Sequence, residues 1–118
     1  MSGCASKRPG LPGSTNEGLA SYYGKGFAGR QTANGEIFDP RDTTAAHRTY
    51  AFGTVLRVTN LANGRSVVVR VNDRGPYIAG RILDLSEGAA RKIGMIEKGV
   101  ARVRIEVLKR PPPTRKAR

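Results

Sequence analysis

Two short β-forming runs joined by an Asn-Gly turn constrain this chain more than any other feature of it. Segments 54–59 (TVLRVT) and 65–71 (RSVVVRV) alternate or stay apolar as strands do. Between them, 61–64 (LANG) ends in Asn63 and Gly64, the pair that supplies the positive φ angles of a tight reversal. A hairpin is predicted there. Its second strand runs directly into Asn72, Asp73, Arg74, Gly75 and Pro76. Gly75 relieves backbone strain and Pro76 fixes the next φ, so Asp73 is offered at a strand end beside a stiff turn. Such a carboxyl can be aimed repeatedly at one point, as proton transfer to a substrate demands.

The remaining elements are short. Segment 19–23 (LASYY) reads as a first strand, followed by the glycine-rich 24–29 (GKGFAG) and a long polar stretch to Arg48. A stretch of that length is expected to be functional or to hold short helical turns, and 43–48 (TTAAHR) is read as one such turn. Segment 81–85 (RILDL) is a further strand; Ser86 then caps a short helix through about Ile93, with Glu87 in its first turn and Gly94 at its stop. Segment 100–108 (VARVRIEVL) alternates cleanly and closes the sheet. Five or six short strands with one small helix imply an all-β closed barrel, because closure removes edges that would pair with other chains. The 118 residues suffice for one domain. It is placed at 18–108, between a Gly/Pro/Ser-rich tether at 1–17 and a basic, proline-rich tail at 109–118 (KRPPPTRKAR). Its core must come from Val, Ile, Leu and Ala, since the chain has no Trp.

The formal net charge of +12 invites an anionic partner. Five of the positive charges fall in the tail, and no helix-turn-helix, zinc-finger or RNA-binding sheet signature accompanies them, so nucleic acid is not the expected partner. One Cys and one His exclude an internal disulfide and are too few ligands for structural zinc; neither metal nor cofactor is expected. Cys4, in MSGCASK, resembles the end of a bacterial lipoprotein signal, where the thiol receives the lipid. The hydrophobic segment that normally precedes such a Cys is expected in a precursor. No run is long and apolar enough to span a bilayer as a helix.

Taken together, 18–24 (GLASYYG), 29–36 (GRQTANGE), 44–48 (TAAHR), 52–60 (FGTVLRVTN), 63–76 (NGRSVVVRVNDRGP) and 80–86 (GRILDLS) closely resemble the rare lipoprotein A family, and the match spans residues 18–108. The resemblance implies a six-stranded double-psi β-barrel related to expansins and barwin-like proteins. It also implies a lipoprotein on the periplasmic face of the outer membrane, anchored through Cys4, and a lytic transglycosylase acting on peptidoglycan glycan strands that lack stem peptides. In family members the acidic residue matching Asp73 is implicated in catalysis, beside those matching Glu36 and His47. The family usually carries Trp where this chain has Tyr22.

On these grounds Asp73, Glu36 and His47 are the expected catalytic residues, and Tyr22, Arg74, Tyr77 and Arg81 the expected glycan contacts, flat rings being suited to stack on sugar faces. A monomer is expected. Arg70, Arg74 and Arg81 favour an ionised Asp73, so a proton-donating role needs burial or the like charge of Glu36 to oppose them. Read without the resemblance, Asp73 equally fits an Asx-turn, Glu36 a solvated loop and His47 a structural hydrogen bond. Asp84, between Leu83 and Leu85, is read as structural. A non-catalytic glycan-binding module of expansin type is the alternative function, since fold alone does not fix chemistry.

Overall fold

The computed structural model describes residues 10–23 and 25–111. Six strands close into one barrel: β1 (Thr15–Tyr23), β2 (Thr44–Ala46), β3 (Val55–Asn60), β4 (Ser66–Asp73), β5 (Arg81–Ser86) and β6 (Val100–Lys109). A single helix, α1 (Glu87–Lys92), follows β5, and one 3₁₀ turn (Lys25–Phe27) follows β1. Around the barrel the order is β1-β5-β2-β4-β3-β6. The β1/β5 and β2/β4 pairs are parallel and the other four antiparallel.

The predicted hairpin forms as β3 and β4, with Gly64 at φ 76° and its N–H donating to Asn60 O at 2.7 Å. Its tip is fastened to the end of α1: the Nδ2 groups of Asn60 and Asn63 both donate to Ile93 O, at 2.9 and 3.1 Å. Ser86 caps α1 as expected, its Oγ accepting from Ala89 N, and Gly94 follows the helix at φ 70°.

Two elements differ from the sequence reading. Segment 44–46 is a strand, where a helical turn was expected. Thr44 and Ala45 pair with Arg70 and Val71 of β4, while Ala45 and Ala46 pair with Leu85 and Asp84 of β5. A three-residue run carries no periodicity of its own, and the two open edges beside it decide its conformation. β1 also begins earlier than 18, because Thr15, Asn16 and Glu17 pair with Glu106, Ile105 and Arg104 of β6 and Glu17 accepts a hydrogen bond from Arg104 Nε. Residues 1–9 of the expected tether, with Cys4, and residues 112–118 of the tail lie outside the described residues.

The core draws on the residue types expected. Leu56, Val58, Val67, Val69, Val71, Leu83, Leu85, Val103, Ile105 and Val107 point inward from four strands, and Ala89, Ala90, Ile93 and Met95 close one side of the cluster. Each fully buried aliphatic side chain stabilises the fold by roughly 1.5–3 kcal/mol relative to exposure. The helix is seated through a close backbone approach: Gly88 N donates to Pro40 O at 2.7 Å. A Cβ on Gly88 would stand 2.6 Å from the carbonyl oxygen of Arg41. Gly88→Ala is therefore expected to cost about 1–3 kcal/mol and to lower the thermal midpoint by roughly 5 °C or more. Gly26→Ala, where a Cβ meets nothing within 4 Å, should leave the midpoint nearly unchanged. Calorimetry on the two variants measures the contrast.

Candidate functional site

Because β2 lies between β4 and β5, cross-strand register assembles a site that no single segment contains. Ala46 stands opposite Asp73 on one side and Asp84 on the other, and Asp84 stands opposite Ser21 of β1. Neighbouring Ala45 packs into the core, so Ala46 and its row, Ser21, Asp84, Ala46 and Asp73, face the outside of the barrel. Strict alternation along β4 would turn Asp73 inward, since Val67, Val69 and Val71 are core residues. The register shift between Ala45 and Ala46 skips Asn72 and brings Asp73 out, a re-aiming characteristic of β-bulges. Two strand spacings separate the Asp73 and Asp84 backbones by about 10 Å, with only a methyl group between them.

Each carboxylate is held by one oxygen. Asp73 Oδ1 accepts from the backbone N–H groups of Ala33 and Arg74, both at 2.9 Å. The Arg74 bond is to the next residue and the Ala33 bond is long-range, so the local contact differs from the Asx-turn expected, which would use the N–H of Gly75. Among the described residues no hydrogen bond uses its Oδ2. Asp84 Oδ1 accepts a short hydrogen bond from the Ser21 hydroxyl, whose oxygen in turn accepts from Arg81 Nη1 at 2.9 Å.

Glu36 fastens the 32–36 loop to β4. Its Oε2 accepts from Arg70 Nη1 at 2.5 Å and from Asn34 Nδ2 at 2.9 Å, and its Oε1 accepts from Asn72 Nδ2 at 3.2 Å. Asn34 N also donates to Asn72 O at 3.2 Å. The Arg70 hydrogen bond, helped by Asn34 and Asn72, lowers the Glu36 pKa to about 2. Glu36 is therefore paired with Arg70, so the like charge that the sequence reading called on is engaged by that guanidinium. Its geometric effect on Asp73 is direct, because the loop it secures supplies the Ala33 N–H.

His47 occupies the opposite flank. Its N–H donates to Asp73 O at 3.1 Å, and its Nδ1 accepts from the N–H groups of Thr49 and Tyr50 at 3.1 and 3.0 Å. The ring lies flat on Tyr50, with centroids 3.6 Å apart. An Nδ1 that accepts twice leaves the proton on Nε2. Burial, then the charges of Arg74 and Arg48, lower the pKa to about 4. His47 lines a cleft of about 320 Å³ with Asn16, Arg48, Thr49, Tyr50 and Ile82.

The expected glycan contacts divide. Tyr77 is 74% exposed on the β4–β5 loop beside an equally open Ile78. Arg74 is spent internally: Nη1 donates to His47 O and Tyr50 O at 3.0 and 2.7 Å, and the guanidinium lies 3.9 Å from the Phe52 ring centroid. Arg81 supports Ser21. Tyr22 packs against the core and donates its hydroxyl to Ile96 O at 3.1 Å, away from the carboxylate row. Its neighbour Tyr23 faces outward, stacked on Phe38 and edge-on to Phe27. That Asp84 shares a row with Asp73 was not legible in the sequence, because it depends on register across β2, which the sequence did not reveal as a strand. Among the described residues no three of His, Cys, Asp and Glu converge as a metal site requires.

The chain matches the lytic transglycolase family over residues 15–105. It is 66% identical over 96 residues to a probable endolytic peptidoglycan transglycosylase RlpA of Nostoc sp., an alignment covering 80% of this chain and 26% of that protein. The chain thus spans about a quarter of that relative's length. In fold it is similar to a Streptomyces papain inhibitor (22% identity, TM-score 0.68, covering 83% of this chain and 97% of the other). It is also similar to a mutant Clavibacter michiganensis expansin in complex with cellohexaose (24% identity, TM-score 0.65, covering 85% and 53%). The closed barrel is the double-psi β-barrel that the motifs implied.

The sole histidine of the chain makes its protonation directly observable. Its folded pKa lies below the unfolded value of about 6.5. The stability linked to neutral His47 is therefore complete above pH 6.5 and is lost as pH falls toward and through 4. Imidazole ¹⁵N NMR should show the Nε2–H tautomer at pH 7 and no titration above about pH 5; a midpoint between 6 and 7 would contradict the geometry described.

Proposed function

The chain belongs to the rare lipoprotein A family of lytic transglycolases, and from that premise we propose that its barrel cleaves the bond between N-acetylmuramic acid and N-acetylglucosamine in peptidoglycan, leaving a 1,6-anhydro-muramic end. The observation that carries this reading is the pair of carboxylates, Asp73 and Asp84, facing one side of the barrel across Ala46.

Asp73 protonates the glycosidic oxygen, and the bond from C1 to that oxygen breaks as positive charge builds on the muramic ring. Asp84, steadied by Ser21, faces that charge from across Ala46. The C6 hydroxyl of the same ring attacks C1 and returns its proton to Asp73. No water is consumed, and the nucleophile's tether supplies the high effective molarity of an intramolecular step. Glu36 and His47 act as positioning residues in this scheme, Glu36 through the loop that supplies the Ala33 N–H and His47 through its backbone bond to Asp73. Tyr77 is open to stack on a sugar face. Preference for strands without stem peptides suits a chain of net charge +12, because removing the peptide bares a carboxylate on each muramic lactyl group. Cys4, outside the described residues, is the proposed point of lipid attachment, holding a monomeric barrel at the periplasmic face of the outer membrane.

The likeness to an expansin fold supports a second reading, a glycan-binding module without catalysis. The two part on product analysis. Incubation with glycan strands stripped of peptides should release peptide-free disaccharides and oligosaccharides ending in 1,6-anhydro-muramic acid. Asp73→Asn and Asp84→Asn should each reduce release by about 100-fold or more. Products ending only in reducing muramic acid would overturn the transglycosylase step, and binding with no product would establish the second reading.

A further inference from the structure

The strands that carry the row of Ser21, Asp84, Ala46 and Asp73 run on past it at one common end. β1 and β5 are parallel and β2 is antiparallel to β5, so Asn16 before Ser21, Ile82 before Asp84 and His47 after Ala46 all lie on that side. These three residues, with Arg48, Thr49 and Tyr50 of the following loop, line the cleft of about 320 Å³. Its volume is that of a small-ligand site. The backbone bond from His47 N to Asp73 O, 3.1 Å, places its rim against the proposed proton donor. On the β5 wall, Ile82 precedes Asp84 by two residues, or about 7 Å of strand.

No residue lining this cleft is acidic. His47 and Tyr50 are buried and form its floor, while Arg48 and Thr49 are exposed at its edge. Among the described residues Arg48 enters no ion pair, and Glu17, the acid that follows Asn16, is engaged by Arg104. Arg74, bonded to the carbonyls of His47 and Tyr50, adds a second guanidinium to the same loop. The charges of both arginines reach His47, where they act with burial to keep the ring neutral. The cleft is thus an open, positively charged recess with a free guanidinium at its edge, and a carboxylate is the ligand it fits. A peptide-free glycan brings one. Each muramic ring carries a lactyl carboxylate, and the ring whose C1 reacts at Asp73 holds it to one side of the cleaved bond. With a stem peptide attached, that carboxyl is an amide and its charge is gone.

We propose that this cleft is the subsite for the lactyl carboxylate of a muramic residue, and that Arg48, as its ion-pair partner, determines the preference for peptide-free strands. The proposal rests on the cleavage reading above and adds to it the group that reads the missing peptide. Three substrates test it: peptide-free glycan, the same glycan with its lactyl groups amidated by carbodiimide coupling, and glycan still bearing stem peptides with free terminal carboxylates. Wild-type kcat/KM on the first should exceed that on the other two by about fivefold or more, as a partly exposed charge-assisted contact allows. Arg48→Gln alters an exposed side chain and should leave the thermal midpoint in place. It should cleave the first two substrates alike, at the wild-type rate on amidated glycan, and Arg48→Lys should regain part of the preference. Equal wild-type kcat/KM on native and amidated glycan overturns the subsite, as does a preference that survives in Arg48→Gln. Fastest cleavage of the peptide-bearing glycan overturns the lactyl assignment in favour of peptide carboxylates.

A second measurement does not depend on turnover, because the only histidine of the chain forms the floor of the cleft. At pH 7 the ¹⁵N resonance of His47 Nε2 should move further with native glycan than with amidated glycan, and Arg48→Gln should erase the difference. Equal movement in the wild-type protein overturns the contact. If no glycan yields product while the two glycans still differ at His47, the cleavage reading falls and the carboxylate subsite stands. If product forms equally from both, the subsite falls and the cleavage reading stands.

Discussion

Three residues of backbone hold the barrel and its outer face together. β2 is parallel to β4 on one side and antiparallel to β5 on the other, so its few ladder bonds join the two edge strands of the sheet β5-β1-β6-β3-β4 and close the barrel. Side chains reinforce it at its start, where Thr44 N donates to Ser86 Oγ and that hydroxyl donates to Asp42 O. The same serine caps α1, so one hydroxyl ties together strand, loop and helix. Small side chains suit β2 to both roles: Ala45 fits the crowded core, and Ala46, itself buried, stands in register between two carboxylates.

Electrostatics around the row are arranged by pairing. Arg70 answers Glu36, Arg81 backs the Ser21 hydroxyl, and Arg74 is absorbed by carbonyls and the Phe52 ring. The arginines that looked from sequence like a threat to an acid at Asp73 are thus each engaged elsewhere. Glu36 and Arg70 are both more than a third exposed, and an ion pair so placed contributes little to global stability. Its consequence is local: it settles where the 32–36 loop lies against β4, and hence where Ala33 N meets Asp73.

Much of the architecture was legible because it is encoded locally. The Asn63-Gly64 reversal, the Ser86 cap, the Gly94 stop and the alternation of β6 each follow from residues within a few positions of one another. What escaped depends on partners far along the chain. A three-residue strand has no pattern to read, and without it the register joining Asp84, Ala46 and Asp73 stays hidden. Asp84 looked structural because alternation places it opposite to Leu83 and Leu85, which is correct but also puts it in the row. Asp73 was found from its turn, although simple alternation would have turned it into the core. The choice between Tyr22 and Tyr23 followed a family motif rather than a face, and the two adjacent rings point in opposite directions.

The placement of β1 governs how this barrel can come into being. Its partners are β5 and β6: Leu19 lies opposite Arg81, and Thr15 opposite Glu106, near the other end of the described chain. About half of the polypeptide must therefore be looped back before the first strand gains β5, and most of it before it gains β6, and the entropy of that closure comes before its reward. On a ribosome the early strand emerges with both edges bare and waits for β6. A single cooperative closure of the finished chain suits this topology better than piecemeal assembly during synthesis.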